Sequence, residues 1–187
     1  MTRLTVFNNI SLDGYFVDAR GDMSWAHKSD PEWLRYSASN AQGSDDGALL
    51  FGRKTYEMMV AYWPTAEAKK QLPEIAEGMN RLKKYVVSRS LDKVSWNNTT
   101  LLKGDLAGEV RRLKAGPGSS IVVMGSGTVV AQLAKERLID EYTFVVIPIV
   151  LGSGRTLFQG LESRLALKRT SERAFGNGNV VVTYQPQ

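Results

Sequence analysis

The sequence predicts an α/β domain: a mostly parallel central sheet flanked by helices, with an antiparallel C-terminal hairpin. Three observations carry this. Apolar runs of strand length alternate with stretches of helical periodicity, which calls for parallel strands joined by crossovers. The apolar run before Gly125 breaks at a glycine pair and passes directly into a helical pattern. Near the end, Gly176-Asn177-Gly178-Asn179 separates two strand-like runs, and Asn-Gly in that setting signals a tight hairpin.

Taken in order, residues 4–10 read as the first strand, followed by Ser11-Leu12-Asp13-Gly14-Tyr15 and a polar stretch to Asp30 that reads as a long loop. Loops of that length usually carry function. Asp30-Pro31-Glu32 opens a helix with Asp30 as N-cap and Pro31 in the first turn; Trp33, Leu34, Tyr36 and Ala38 are its apolar positions and Gly43 its end. Residues 48–51 form a buried strand. Gly52-Arg53-Lys54-Thr55 leads into a short helix carrying Met58, Met59 and Tyr62, stopped by Pro64, and a broken helical segment containing Pro73 reaches Asn80. Residues 85–88 and 99–102 are the next strands. Leu106, Val110 and Leu113 share one face of a helix closed by Gly116-Pro117-Gly118. After the glycine-pair turn, Val129, Val130, Leu133 and Ala134 mark a further helix, residues 142–151 a core strand, and residues 165–175 and 180–184 the hairpin.

Composition narrows the function classes. A chain of 187 residues, 43% hydrophobic and 23% charged, is expected to form one domain over residues 1–187. The absence of cysteine excludes a disulfide framework, a thiolate metal site and a cysteine nucleophile. His27 is the single histidine, so zinc chemistry and Ser-His-Asp hydrolysis lose weight and no metal is expected; His27 itself reads as a loop residue. The N-terminal apolar segment is too short for a signal peptide, and the run at 142–151 falls well below the roughly 20 residues of a membrane-spanning helix. A cytoplasmic protein with no membrane partner is expected. The net charge of +5 favours an anionic partner without selecting one.

Three turns suit phosphate. Met124-Gly125-Ser126-Gly127-Thr128-Val129 offers close backbone approach and the positive end of a helix. It is not the ordinary dinucleotide fingerprint, because Val130 stands where a third glycine belongs, nor a P-loop, because no Gly-Lys-Ser or Gly-Lys-Thr follows. In Gly52-Arg53-Lys54-Thr55 a strand delivers a glycine, two cations and a hydroxyl to a helix start, where Arg53 can bind a phosphate monoester bidentately. Ser88-Arg89-Ser90 closes another strand with a cation between hydroxyls. Each alone also reads as a plain solvated connection. Together they can converge, because the carboxyl ends of parallel strands share one edge.

The order and wording of these motifs resemble the dihydrofolate-reductase-like fold over nearly the whole chain. Gly52-Arg53-Lys54-Thr55-Tyr56-Glu57, Val87-Ser88-Arg89 and Val123-Met124-Gly125-Ser126-Gly127 are similar to that family's segments. Ser11-Leu12-Asp13-Gly14 and Pro148-Ile149-Val150-Leu151-Gly152-Ser153-Gly154 resemble more narrowly the reductase domain of the bacterial riboflavin-biosynthesis deaminase-reductase. The resemblance implies NADPH as cofactor, with Arg53 and Arg89 near the adenosine 2′-phosphate and Lys54, Thr55 and residues 125–128 around the pyrophosphate. Ser88, Ser90, Met124 and Val129 fall in the same binding segments. It also implies that Ile10, Asp13 and Gly14 pass beside the nicotinamide and that residues 15–28 cover the site.

The implied activity is hydride transfer to a planar heterocycle or its ribosylamino derivative, a ribosylaminouracil phosphate being one candidate and a pterin another. A homodimer is implied by resemblance alone. Asp30 lies in the region of the carboxylate that assists protonation in dihydrofolate reductases, but before Pro31 and Glu32 it reads first as a helix cap, which leaves it less free to meet a ligand; Asp13 reads equally as a turn residue or a direct contact. Trp25, Trp33, Tyr56 and Tyr62 are candidates for lining the substrate site or for the core. A basic nucleic-acid-binding module is the competing class, disfavoured because Lys69, Lys70, Arg81, Lys83, Lys84, Arg111, Arg112 and Lys114 alternate with acids and no nucleic-acid motif occurs. A nucleotide-binding fold without turnover is a third reading.

Overall fold

A computed structural model of the chain describes residues 2–26, 30–42 and 46–187, without the side chain of Gln42. His27 and Gly43 therefore lie outside the described residues. Period-two burial organises the strands: in β1 (Arg3–Ser11) Leu4 and Val6 are fully buried on one face, while Phe7 packs on the other. There follow β2 (Tyr15–Asp18), α1 (Pro31–Gln42), β3 (Ala48–Gly52), α2 (Arg53–Tyr62), α3 (Ala66–Gln71), α4 (Pro73–Arg81), β4 (Lys83–Val87) and β5 (Thr99–Leu102). The second half runs α5 (Leu106–Ala115), β6 (Ser120–Met124), α6 (Gly127–Lys135), β7 (Glu141–Ile147), β8 (Gly154–Thr156), β9 (Leu167–Ala174) and β10 (Val180–Pro186).

Eight strands form one sheet in the order β5-β4-β3-β6-β1-β7-β10-β9. The pairings from β5 to β7 are all parallel, and β10 and β9 add on antiparallel. Strands β3 and β6 are apolar on both faces, as expected of central parallel strands with helices on either side. On one face Leu50, Val123, Val130 and Leu133 build a core beneath α5 and α6. On the other, Phe51, Tyr56, Met79, Val86 and Trp96 pack beneath α2 and α4, and Trp33, Val145, Ile147 and Phe175 beneath α1. The α/β architecture with its C-terminal hairpin is the one expected.

Two expectations change. The loop after Gly14 contains β2, which pairs antiparallel with β8 in a separate two-stranded sheet, and a 3-10 turn at Ser24–Ala26. The long strand expected over residues 142–151 ends at Ile147, because Pro148 has no N–H to continue a ladder. In the hairpin Phe175 N donates to Asn179 O at 2.9 Å and Gly178 takes φ +87°, closing the turn where Asn-Gly predicts it.

Candidate functional site

Adjacent strands β4, β3, β6, β1 and β7 present their carboxyl ends along one edge, and every phosphate-type turn predicted from sequence lies there. The glycine turn at the end of β6 is the best defined. Gly125 has φ +57° and Ser126 lies in the left-handed region at φ 59°, ψ 51°, a conformation that costs a non-glycine residue about 1–2 kcal/mol. Its hydroxyl repays this locally: it accepts from Gly52 N–H at 2.8 Å, donates to Thr55 Oγ1 at 2.9 Å and lies 3.1 Å from the Met124 carbonyl. The Ser126 side chain therefore ties the end of β3 to the end of β6 instead of facing outward. A Cβ on Gly125 would stand 2.8 Å from Thr55 Oγ1, so the glycine turn packs directly on the Thr55 side chain of α2.

Consequently the N-termini of α2 and α6 open side by side, and neither Gly52 nor Ser126 caps its helix with a side chain. By contrast, α1, α3 and α5 are capped by Asp30, Thr65 and Asp105. Two neighbouring helix ends with unpaired N–H groups suit an anion, each dipole contributing about 0.3–1 kcal/mol at the surface. The cations stand beside them. Arg53 and Lys54 are exposed, and Arg53 meets Glu57 at 3.2 Å one helical turn away, a solvent-screened pair worth about 0.3–0.5 kcal/mol and readily exchanged for phosphate. At the end of β4, Ser88 Oγ accepts from Ser90 N–H (3.2 Å) and Leu91 N–H (3.1 Å), which folds the turn and leaves Arg89 and Ser90 exposed.

Asn8 and Phe16 form the other side of the glycine turn. Asn8, buried in β1, donates from Nδ2 to Gly125 O at 3.3 Å, and the Phe16 ring of β2 packs so closely on Gly127 that a Cβ there would lie 2.8 Å from it. An amide in the buried register of an apolar strand was the available signal for Asn8; nothing local marked Phe16. Ile10 is half-buried near the end of β1, and Gly14 takes φ +86° in a turn closed by its N–H to Ser11 O at 2.9 Å.

Asp13 is exposed yet fully engaged. Oδ1 accepts from Ser11 Oγ at 2.6 Å, Oδ2 from Gly152 N–H at 2.8 Å, and both oxygens face Leu151 N–H. The Ser11 hydroxyl first, then the Gly152 and Leu151 amides, hold its carboxyl below the usual value. Asp13 thus joins Ser11-Leu12-Asp13-Gly14 to the Pro148–Gly154 loop, a link the sequence does not reveal. Asp30 Oδ1 accepts from Trp33 N–H at 2.8 Å, the contact of a helix cap.

The aromatic candidates separate. Tyr56 is a core residue: 3% exposed, its hydroxyl accepts from Ser95 N–H (2.9 Å) and Trp96 N–H (3.2 Å). Trp33 likewise packs edge-on against Phe175 beneath α1. Tyr62 closes the far end of α2, nine residues or ~14 Å along the helix from Arg53, against Trp63 and Gln71. The structure thus places Tyr56 and Trp33 in the core and Tyr62 at the end of α2; helical periodicity shows their spacing but not which face meets the sheet. Trp25 is half-buried in the 3-10 turn, with Nε1 donating to Asp22 O at 3.1 Å. Among the described residues there is no cluster of three metal-ligating side chains, and no helix is long and apolar enough to cross a membrane.

The family model described as RibD C-terminal domain matches residues 2–181. YyaP, an uncharacterized protein of Bacillus subtilis (strain 168), is 28% identical over 175 residues, 94% of this chain and 90% of that protein. Among solved structures, a Shewanella sp. PV-4 protein provisionally assigned to riboflavin biosynthesis superposes with a TM-score of 0.79 at 26% identity, over 100% of this chain and 99% of that one. Dihydrofolate reductase from Enterococcus faecalis, in complex with NADP(H), gives a TM-score of 0.65 at 13% identity over 99% of this chain and 96% of that one. At that identity the likeness is one of fold, and the fold is dihydrofolate-reductase-like.

Proposed function

The chain belongs to the RibD C-terminal domain family, and from that premise we propose that it is an NADPH-dependent reductase acting on a planar heterocycle of the pyrimidine or pterin type, or on its ribosylamino derivative. The observation that carries the reading is the pair of uncapped helix N-termini, α2 and α6, set side by side by Ser126 at the carboxyl edge of the sheet. The residues fit the cofactor. Backbone N–H groups at Gly127 and Thr128, at the start of α6, would hold the pyrophosphate with Lys54. Arg53 and Arg89 would take the 2′-phosphate, where each charge-assisted contact is worth about 1.5–3 kcal/mol.

When bound, such a cofactor supplies a hydride; the protein's part is to hold the reacting faces together and exclude water. Of the two carboxylates considered for proton transfer, Asp13 is occupied by Ser11, Leu151 and Gly152, and Asp30 caps α1. We assign a proton donor to neither. A soluble homodimer is part of the same reading, by family.

Titration with NADPH and NADH, read by tryptophan quenching, tests the cofactor, and a panel of ribosylaminouracil phosphate and dihydrofolate tests the substrate. Arg53→Ala and Arg89→Ala are expected to weaken NADPH at least about tenfold each and NADH little, since the lost contacts belong to the extra phosphate. Equal weakening of both cofactors rejects the assignment of these arginines.

A further inference from the structure

Four buried side-chain polar atoms among the described residues have no hydrogen-bond partner, and all four belong to asparagines: Asn9 Oδ1, Asn177 Nδ2 and both amide atoms of Asn179. Asn179 is fully buried. Burying a polar group unpaired costs free energy, and native folds keep such groups few, so four in three side chains call for a reason. A structural network does not supply one. The bond that links two of the three, Asn179 N–H to Asn177 Oδ1 at 3.0 Å, uses none of the four atoms.

The three residues meet at one corner of the fold. In β1, Asn9 shares the face of Phe7 and stands beside Val145 of β7, which pairs in turn with Val181 of β10. Asn179 falls two residues before Val181, so it and Asn9 flank β7 roughly 12 Å apart, a distance that one bicyclic heterocycle with its hydrogen bonds can bridge. The hairpin turn meets the start of α1, where a Cβ on Gly176 would lie 3.9 Å from Asp30 Oδ2, and the loop after β7, where a Cβ on Gly178 would lie 3.0 Å from Pro148 Cγ. Because β10 runs antiparallel to β7, its amino end reaches the same edge as the carboxyl ends of β1 and β7, on the side away from Arg53 and Arg89.

The unpaired atoms define what fits. Asn179 offers an acceptor and a donor, Asn177 a donor and Asn9 an acceptor. A phosphate, a carboxylate or a quinone carbonyl only accepts and would leave the asparagine oxygens unpaired, whereas a lactam presents N–H beside C=O and answers both. We propose that Asn9, Asn177 and Asn179 are specificity-determining residues that recognise the uncharged lactam edge of the substrate ring. Asn177, half-buried, marks the entry, and the turn gives way at Gly176 and Gly178, both exposed, to admit that edge to Asn179. This rests on the reductase reading and names the edge by which its heterocycle is held.

Calorimetric titration, with and without NADP+, compares lumazine, a bicyclic ring with two lactam N–H groups, with 1,3-dimethyllumazine, which keeps the ring and carbonyls but has neither N–H. Lumazine is expected to bind at least about tenfold more tightly. Asn179→Leu, similar in size, is expected to weaken lumazine at least about tenfold, to leave NADPH affinity within about twofold, and to keep or raise Tm, because it removes two unpaired buried atoms. Asn9→Leu is expected to show the same selective loss of lumazine.

Equal affinity for the two lumazines, or unchanged lumazine affinity in Asn179→Leu, overturns the proposal. A lowered Tm in Asn179→Leu together with unchanged lumazine affinity in Asn9→Leu also overturns it and returns the asparagines to the fold. If the unsubstituted protein binds NADPH but neither lumazine, the lactam site is refuted while the cofactor reading stands. If it binds lumazine with the expected dependence on the asparagines but no NADPH, the site stands and the reductase reading fails.

Discussion

Gly125→Ala puts the contact between the glycine turn and α2 to a quantitative test. The new Cβ would lie 2.8 Å from Thr55 Oγ1 and 3.0 Å from Thr55 Cγ2, and Thr55 is only 9% exposed, so neither partner has open space to move into. Such overpacking costs about 1–3 kcal/mol. The backbone adds a separate penalty, because φ +57° places an alanine in the left-handed region at about 1–2 kcal/mol. The sum is about 2–5 kcal/mol, which for a domain of this size lowers Tm by roughly 5–15 °C. The two parts separate in a double-mutant cycle with Thr55→Ala, measured by urea unfolding. In the Thr55→Ala background the side chain in the way is gone, so Gly125→Ala should lose only the backbone part, and the coupling should be about 1–3 kcal/mol. A loss below about 1 kcal/mol for Gly125→Ala, or the same loss in both backgrounds, refutes the close packing of the turn on Thr55.

Lys84 is fully buried; its ammonium donates to the carbonyls of Met79 (2.9 Å), Asn80 (3.1 Å) and Leu82 (2.6 Å) at the end of α4 and lies 4.5 Å from the Trp96 ring centroid. Lys84→Met leaves those carbonyls without their donor and should cost about 1–3 kcal/mol in urea unfolding. Burial pushes the Lys84 pKa down from 10.5 to about 8, so the unfolded chain binds more protons between those values. Wild-type stability should therefore gain from this group as pH rises from about 8 to 10.5, and Lys84→Met should lack that gain. Tyr142 acts oppositely: burial raises its pKa from 10.0 to about 12, so its contribution should be lost as pH climbs through that window, and Tyr142→Phe should flatten the alkaline decline. Tyr56→Phe strands the N–H groups of Ser95 and Trp96 and should cost about 1–3 kcal/mol while leaving NADPH affinity unchanged in a titration; a selective loss of ligand affinity would return Tyr56 to the site.

The sequence alone determined what is decided by local chemistry. Alternating apolar runs made parallel strands, Asp30 with Pro31 made a helix start, and the Asn-Gly turn made the hairpin, because each depends on residues within a few positions of one another. Since parallel strands bring their carboxyl ends to one edge, the convergence of Gly52, Ser88 and Gly125 was legible as well. Only the tertiary structure decided what long-range packing selects. The pairing of β2 with β8 joins segments of four and three residues, too short to signal themselves, and the Asp13 carboxylate meets Leu151 and Gly152 from far along the chain. Periodicity located Tyr56 on its helix without revealing that it faces the core, and Lys84 reads as a surface cation until the end of α4 closes over it. For the strand pair, Asp13 and Tyr56 the partner is distant in sequence, and only the folded backbone brings it within bonding distance. The carbonyls that Lys84 meets lie two to five residues away, and what the sequence does not reveal is its burial.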